Sequence, residues 1–325
     1  MTDRALVVTA HGDRSVLAVQ PHLAPQPGPG EVRVAVEAAG VNFIDVYQRE
    51  GRYPSPTPFV LGSEGAGVVS EVGPEVTGVV VGDRVAWAMT LGSAATHAVV
   101  PASRLVAVPA GVSGEAAAAV MLQGMTAHYL VTDTYAVRPG TWALVHAAAG
   151  GVGQLLTQLI ASRGGRVVAT AGTDDKCAIA RERGAEVAID YTRVGDLAAA
   201  VRSATGGTGV DVVYDGVGAS TFEASLGSLR PRGLLALYGA ASGPVPPFDL
   251  QRLNPLGSLF VTRPSLPHHI ATREELLRRG GDVLSTVADG TLHVEIGGRY
   301  PLEDAARAYE ALESRASTGK LLLIP

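Results

Sequence analysis

The chain carries two kinds of hydrophobic pattern. In its first part the apolar runs are short and broken by glycine. Residues 31–37 alternate, with Val32, Val34 and Val36 on one face, as a half-exposed strand requires. Residues 5–9 and 16–19 predict a hairpin turning at 11–13, and the proline- and glycine-rich residues 25–30 predict a tight turn. A short helix is predicted over 42–50. Short strands between glycine turns recur over 60–73 and 81–85 and point to a compact β-barrel. After Thr126 the pattern becomes a regular alternation of strands and helices. Residues 187–190, 210–214 and 234–238 read as parallel strands, and 257–262 as a sixth strand at an edge. From Thr272 a charged helix, short strands and residues 301–311 return to the first pattern. The fold class this predicts is α/β, a β-barrel unit plus a doubly wound parallel sheet.

Residues 141–176 hold the strongest local signal. A strand over 141–147 runs into the turn Ala148-Ala149-Gly150-Gly151-Val152-Gly153. A helix then continues from Gln154 with Leu155, Leu156, Leu159 and Ile160 on one face, and Gly164-Gly165 stop it before a strand over 166–170. Backbone N–H groups at a helix N-terminus hold a pyrophosphate, because the helix dipole favours negative charge there. A side chain at Gly150 or Gly151 would keep the backbone away from the phosphates, and Gly153 lets the helix approach the strand. Ala148 stands where the usual G-x-G-x-x-G pattern has its first glycine, so the flanking strand and helix carry the motif.

The end of the second strand selects the nucleotide. An acid about 20 residues beyond the glycines would bind the ribose hydroxyls of NAD. That place falls at Ala171-Gly172, which carries no acid. The loop beyond is Thr173-Asp174-Asp175-Lys176, whose hydroxyl and lysine suit a 2′-phosphate. NADPH is therefore the expected cofactor, and Asp174 and Asp175 are the argument against it, since either could turn inward.

Composition narrows the classes. A length of 325 residues suits about two domains, and a 46% hydrophobic, 18% charged composition suits a globular chain. The net charge of −5 argues against a nucleic-acid surface. The one cysteine, Cys177, permits no internal disulfide and fits a reducing compartment. A polar start (Met1-Thr2-Asp3-Arg4) and the lack of a long apolar run make cytoplasm the expected location, without a membrane partner.

Several stretches together resemble the medium-chain dehydrogenases/reductases, and specifically the NADPH-dependent quinone oxidoreductases of the zeta-crystallin-like branch. They are Gly40-Val41-Asn42-Phe43-Ile44-Asp45, Gly62-Ser63-Glu64-Gly65-Ala66-Gly67, Gly124-Met125-Thr126-Ala127-His128-Tyr129, residues 146–153, Val213-Tyr214-Asp215-Gly216-Val217-Gly218, residues 261–266 and Glu313-Ser314-Arg315-Ala316. The resemblance spans essentially the whole chain. It implies a GroES-like substrate domain (1–122 and 265–325), an inserted Rossmann domain (123–264), an active site in the cleft between them, and a homodimer, for which the edge strand would be a pairing surface.

The resemblance also implies site residues. Asn42, Tyr47, Tyr53 and Arg263 would surround the acceptor as hydrogen-bond donors to a developing oxyanion. Phe43, Asp45, Gln123 and Thr126 would accompany Asn42 and Tyr47 on the nicotinamide side of the cofactor. Gly150, Gly151 and Val152 would meet the pyrophosphate, and Thr173, Lys176 and Tyr191 the 2′-phosphate and adenosine. Val217, Tyr238, Gly239 and Ala240 would line the nicotinamide pocket, with Phe260, Val261 and Thr262 nearby and Arg315 reaching in from the tail.

Zinc-dependent members of the superfamily place a cysteine and a histidine where this chain has Asn42 and Ser63, both poor zinc ligands. No metal is expected, and no Gly-x-Ser-x-Gly elbow, phosphate-binding Gly-x-x-x-x-Gly-Lys or His-Glu-x-x-His is present. The expected function is zinc-independent reduction of quinones by hydride or electron transfer from NADPH. Reduction of activated double bonds (enones, acrylyl derivatives) on the same scaffold is the first alternative, and a nucleotide-binding protein with a structural or RNA-binding role a distant one.

Overall fold

The computed structural model describes residues 3–23, 25–53, 55–315 and 317–325; Ala316, the last residue of the tail motif, lies outside the described residues. The chain divides into two units, residues 1–125 with 269–325, and residues 126–268.

The first unit is built on the strand Glu31–Gly40. It pairs antiparallel with Glu64–Val72, His97–Pro101 and the C-terminal strand Lys320–Ile324. Val32 and Val34 pack with Trp87, Val100 and Leu105 in one apolar core. The predicted hairpin forms from Arg4–Val8 and Leu17–Pro21. The C-terminal strand sets Leu322 opposite Gly40 and Leu323 opposite Ala39, which brings Lys320 beside the Gly40–Asn42 loop. The short helix Phe43–Arg49 starts there, and the helix Ala305–Glu313 packs through Ala308 and Tyr309 on a second apolar core with Leu6, Val46, Leu321 and Leu323.

The second unit is a six-stranded parallel sheet. Its spatial order is Val187–Asp190, Arg166–Ala171, Trp142–Val145, Val210–Asp215, Leu229–Leu237 and Phe260–Thr262, every neighbouring pair parallel. In chain order this reads 3-2-1-4-5-6, the Rossmann arrangement, whose direction reverses between its first and fourth strands. The predicted edge strand is shorter than its apolar run. Gly257 (φ 114°) and Ser258 (φ 53°) take left-handed conformations, so the segment turns before Phe260 and only then joins the sheet. The fifth strand starts at Leu229, five residues before the predicted 234.

Candidate active site

At the sheet's reversal point, Gly150 is the N-cap of the helix Gly151–Ser162 and has no side chain to satisfy the first-turn N–H groups. Gly151 and Val152 are the first two helical residues and are half-buried. Gly153 sits hard against the strand end: a Cβ there would lie 2.4 Å from the Ala147 carbonyl oxygen and 2.7 Å from Ala148 Cα. Buried Gln154 steadies the turn, with Nε2 donating to the Ala149 carbonyl at 2.8 Å and Oε1 accepting from Arg183 Nε at 2.9 Å. The helix end is therefore uncapped and rigidly placed, as anion binding requires.

Past the second strand, Thr173 is the N-cap of the helix Asp174–Glu182, and its Oγ1 accepts from Lys176 N. Thr173 and Tyr191 are exposed and Lys176 is half-buried. Gly172 lies under Tyr191; a Cβ there would come within 2.7 Å of the tyrosine hydroxyl. Asp174 does not turn inward, because its Oδ2 accepts from Arg193 Nη2 at 2.7 Å. Cys177 is buried, and burial raises its thiol pKa, which suits an inert side chain.

A buried polar network holds the strand ends. Ser225 Oγ donates to Asp215 Oδ2 at 2.7 Å and lies 3.0 Å from His146 Nε2; His146 Nδ1 lies 2.9 Å from Thr170 Oγ1. Burial pushes the His146 pKa down against the opposing pull of Asp215, so the ring is neutral. With the Ser225 proton given to Asp215, Nε2–H is the ring's donor and Nδ1 its acceptor. Asp215 Oδ1 also accepts from the N–H groups of Val217 and Gly218, which pins the turn after the fourth strand. Tyr238, Gly239 and Ala240 are half-buried beside that turn; a Cβ on Gly239 would stand 2.3 Å from the Gly216 carbonyl oxygen. Thr126 is buried and Thr262 half-buried, whereas Phe260, Val261 and Arg263 are exposed.

In the first unit the Gly40–Asn42 loop lies in a cluster of buried ionic groups. Glu64 Oε2 accepts from Lys320 Nζ at 2.5 Å and from Asn42 Nδ2 at 2.9 Å, and Glu64 Oε1 accepts from the backbone N–H of Leu122 at 2.5 Å. Asn42 Nδ2 gives its other hydrogen to the Gly40 carbonyl, and Asn42 Oδ1 accepts from Lys320 Nζ at 2.7 Å. Asn42, expected to donate to a developing oxyanion, thus has both amide hydrogens already engaged and is buried. Its aromatic neighbours lie close by in the chain. Phe43 and Tyr47 stand 6.3 Å apart by ring centroid, Tyr47 and Tyr53 6.1 Å, and the Arg52 guanidinium covers the Tyr47 ring. Tyr53 is half exposed and Tyr47 half-buried. Gln123 Oε1 is buried without a hydrogen-bond partner. Arg315 is exposed just past the helix Ala305–Glu313, with φ 59°.

Asp45 is fully buried one turn into the helix Phe43–Arg49. Burial raises its carboxyl to about 6, against the lowering effects of the Asn42 N–H, the Lys320 ammonium and the Tyr309 hydroxyl. A carboxyl raised in the fold stabilises it below the unfolded value of 3.8 and loses that contribution as pH rises through about 6. The loss is on the order of 3 kcal/mol. Asp45→Asn keeps an acceptor for the Asn42 N–H and removes the titration. Its stability relative to wild type, from urea unfolding, is expected to be greater at about pH 7.5 than at about pH 4; parallel pH profiles would rule this out.

Comparison with known proteins agrees with this architecture. Residues 28–110 match the family model "Alcohol dehydrogenase GroES-like domain", and residues 151–278 match "Zinc-binding dehydrogenase". A quinone oxidoreductase of Pseudomonas aeruginosa is 44% identical over 97% of this chain and 98% of its own length. The chain belongs to the quinone oxidoreductase branch of the medium-chain dehydrogenases/reductases. The crystal structure of the Escherichia coli quinone oxidoreductase complexed with NADPH superposes with a TM-score of 0.96 at 42% identity, covering 99% of this chain and all of that one. A 2-haloacrylate reductase of Burkholderia sp is 41% identical over 92% of both chains.

The zinc in the second family model's description finds no fitting donors at the positions that resemblance indicated. A dication at Asn42 Oδ1 would face the Lys320 ammonium that already occupies that oxygen, and Ser63 Oγ donates to Gln48 Oε1 at 3.1 Å. Among the described residues no three His, Cys, Asp or Glu side chains converge as metal ligands. Branch membership here goes with an ammonium–carboxylate–amide cluster at that place. Sequence reasoning passed over Glu64, Lys320, Gln154 and Arg193. Lys320 had a signal, a charge opening an apolar run of four.

Proposed function

We propose that the protein is a zinc-independent NADPH:quinone oxidoreductase. The observation that carries this reading is the uncapped helix end at Gly150–Val152, at the reversal point of a Rossmann sheet and followed by the acid-free position Ala171-Gly172. The residues fit NADPH. Backbone N–H groups of Gly151 and Val152 would take the pyrophosphate, and Thr173, Lys176 and Tyr191 the 2′-phosphate and adenosine. Gln123 Oε1 would accept from the nicotinamide side with Thr126, and the 216–218 and 238–240 turns would bound the ring. In this reading residues 126–268 serve as the dinucleotide-binding domain, and the remainder as the substrate domain.

Bound NADPH supplies the reducing equivalents. Tyr47, Tyr53 and Arg263 would offer donors to the acceptor oxygen. The Tyr238 hydroxyl, raised by burial and then by Asp215, stays protonated and can donate. The Phe43–Tyr47–Tyr53 rings suit a flat conjugated acceptor. The exposed edge residues Phe260 and Val261 suit strand pairing in a homodimer. A net charge of −5 speaks against a nucleic-acid partner, a single buried cysteine fits the cytoplasm, and no described helix is long and apolar enough to cross a membrane.

Reduction of activated double bonds is the second reading, favoured by the 2-haloacrylate reductase relative. Oxidation of NADPH by pure protein with chelator, offered a small quinone or a simple enone, separates the two. Quinone turnover with NADPH preferred over NADH is expected. Enone turnover alone would move the function to the second reading, and turnover lost to the chelator would remove zinc independence.

A further inference from the structure

The geometry points to Arg193 as the residue that reads the 2′-phosphate of NADPH, with Asp174 as its displaceable counter-ion; this rests on the NADPH reading above. Arg193 Nη2 donates to Asp174 Oδ2 at 2.7 Å, and its Nε lies 3.3 Å from Asp190 Oδ2. Asp174 directly follows Thr173, the cap of its helix, and Asp190 pairs with Ala171 across neighbouring parallel strands. The Thr173 hydroxyl, Lys176, Tyr191 and the Arg193 guanidinium therefore belong to the helix start after the second strand and the adjoining turn after the third, past the carboxyl ends of both strands. Doubly wound sheets present the adenosine ribose there.

The ion pair is built to exchange. Arg193 and Asp174 side chains are 65% and 68% exposed, so water and salt screen their attraction. A phosphomonoester carries close to two charges at neutral pH and offers three oxygens. It can take two guanidinium N–H groups at once, which one carboxylate oxygen here does not. Asp190 plays a different part. Its side chain is 9% exposed and accepts from the N–H and hydroxyl of Thr192, so it remains in place and holds the Nε end of Arg193 near the ribose position. The device also accounts for Asp174 beside a phosphate site. Asp174 neutralises Arg193 when no phosphate is present, and its charge is directed at Arg193 rather than at the ribose. NADH, lacking the phosphate, gives Arg193 no reason to leave Asp174.

Calorimetric titration of the full-length protein with NADPH and with NADH tests this, using Arg193→Gln, Asp174→Asn and the double variant. Arg193→Gln is expected to weaken NADPH about tenfold, the scale of one charge-assisted contact, and to leave NADH within about twofold. Asp174→Asn is expected to tighten NADPH several-fold by removing the competitor, and to lose most of that gain in the Arg193→Gln background. Equal weakening of both nucleotides by Arg193→Gln, or no weakening, overturns the inference while a wild-type preference for NADPH keeps the parent reading. A wild-type protein that binds NADH as tightly as NADPH overturns both. Both residues are surface side chains, so thermal melting should be unchanged in the variants that are compared.

Discussion

Lys320→Met is expected to destabilise the protein by about 3–5 kcal/mol, the cost of leaving one member of a buried ion pair unpaired. Lys320 is 1% exposed and Glu64 0%. Removing the ammonium takes a charged donor from Glu64 Oε2, which keeps the Asn42 amide, and removes the Lys320 donor from Asn42 Oδ1. The pair is closely packed: a Cβ on Gly40 would lie 2.3 Å from Glu64 Oε2 and 2.8 Å from Lys320 Cε. Chemical denaturation should show a large drop in midpoint with an unchanged slope. Glu64→Gln combined with Lys320→Met should recover much of the loss, since the double variant buries no charge at that pair. A loss below about 1 kcal/mol in the single variant would mean that the pair is solvated, and the buried-cluster account would fail.

Gly153→Ala is expected to cost about a hundredfold in NADPH-dependent turnover, the scale of an approximately 1 Å displacement of a binding group. The added methyl would meet two backbone atoms, the Ala147 carbonyl oxygen at 2.4 Å and Ala148 Cα at 2.7 Å, and neither can rotate away. The helix Gly151–Ser162 must back off the strand, and its N-terminal N–H groups move with it. NADPH affinity should fall in parallel with turnover. Unimpaired binding in a folded Gly153→Ala protein would refute the assignment of this helix end to the pyrophosphate.

Much of this could be read from local pattern. Hydrophobic periodicity and glycine placement located the alternating strands and helices of residues 126–268, because each is a short-range constraint written at fixed spacing. The Gly150–Gly153 turn was legible for the same reason: close approach and a helix start both demand glycine locally. The edge strand was overextended because left-handed backbone at Ser258 is a tertiary choice that no side-chain period announces. The partners of Asn42 are a tertiary matter as well. Its family position suggests a donor, but its amide is fixed by donating to Glu64 and accepting from Lys320, 22 and 278 residues away.

The sequence by itself therefore determined the two-part architecture and the place of the glycine-rich turn before the helix Gly151–Ser162, since periodicity and backbone sterics act over a few residues. Only the tertiary structure decided which acids face which cations. Glu64 meets Lys320 through strand pairing at the end of the chain, and Asp174 meets Arg193 across adjoining loops. Charge pairing depends on distances of a few ångströms between residues far apart in sequence, and folding alone sets those distances.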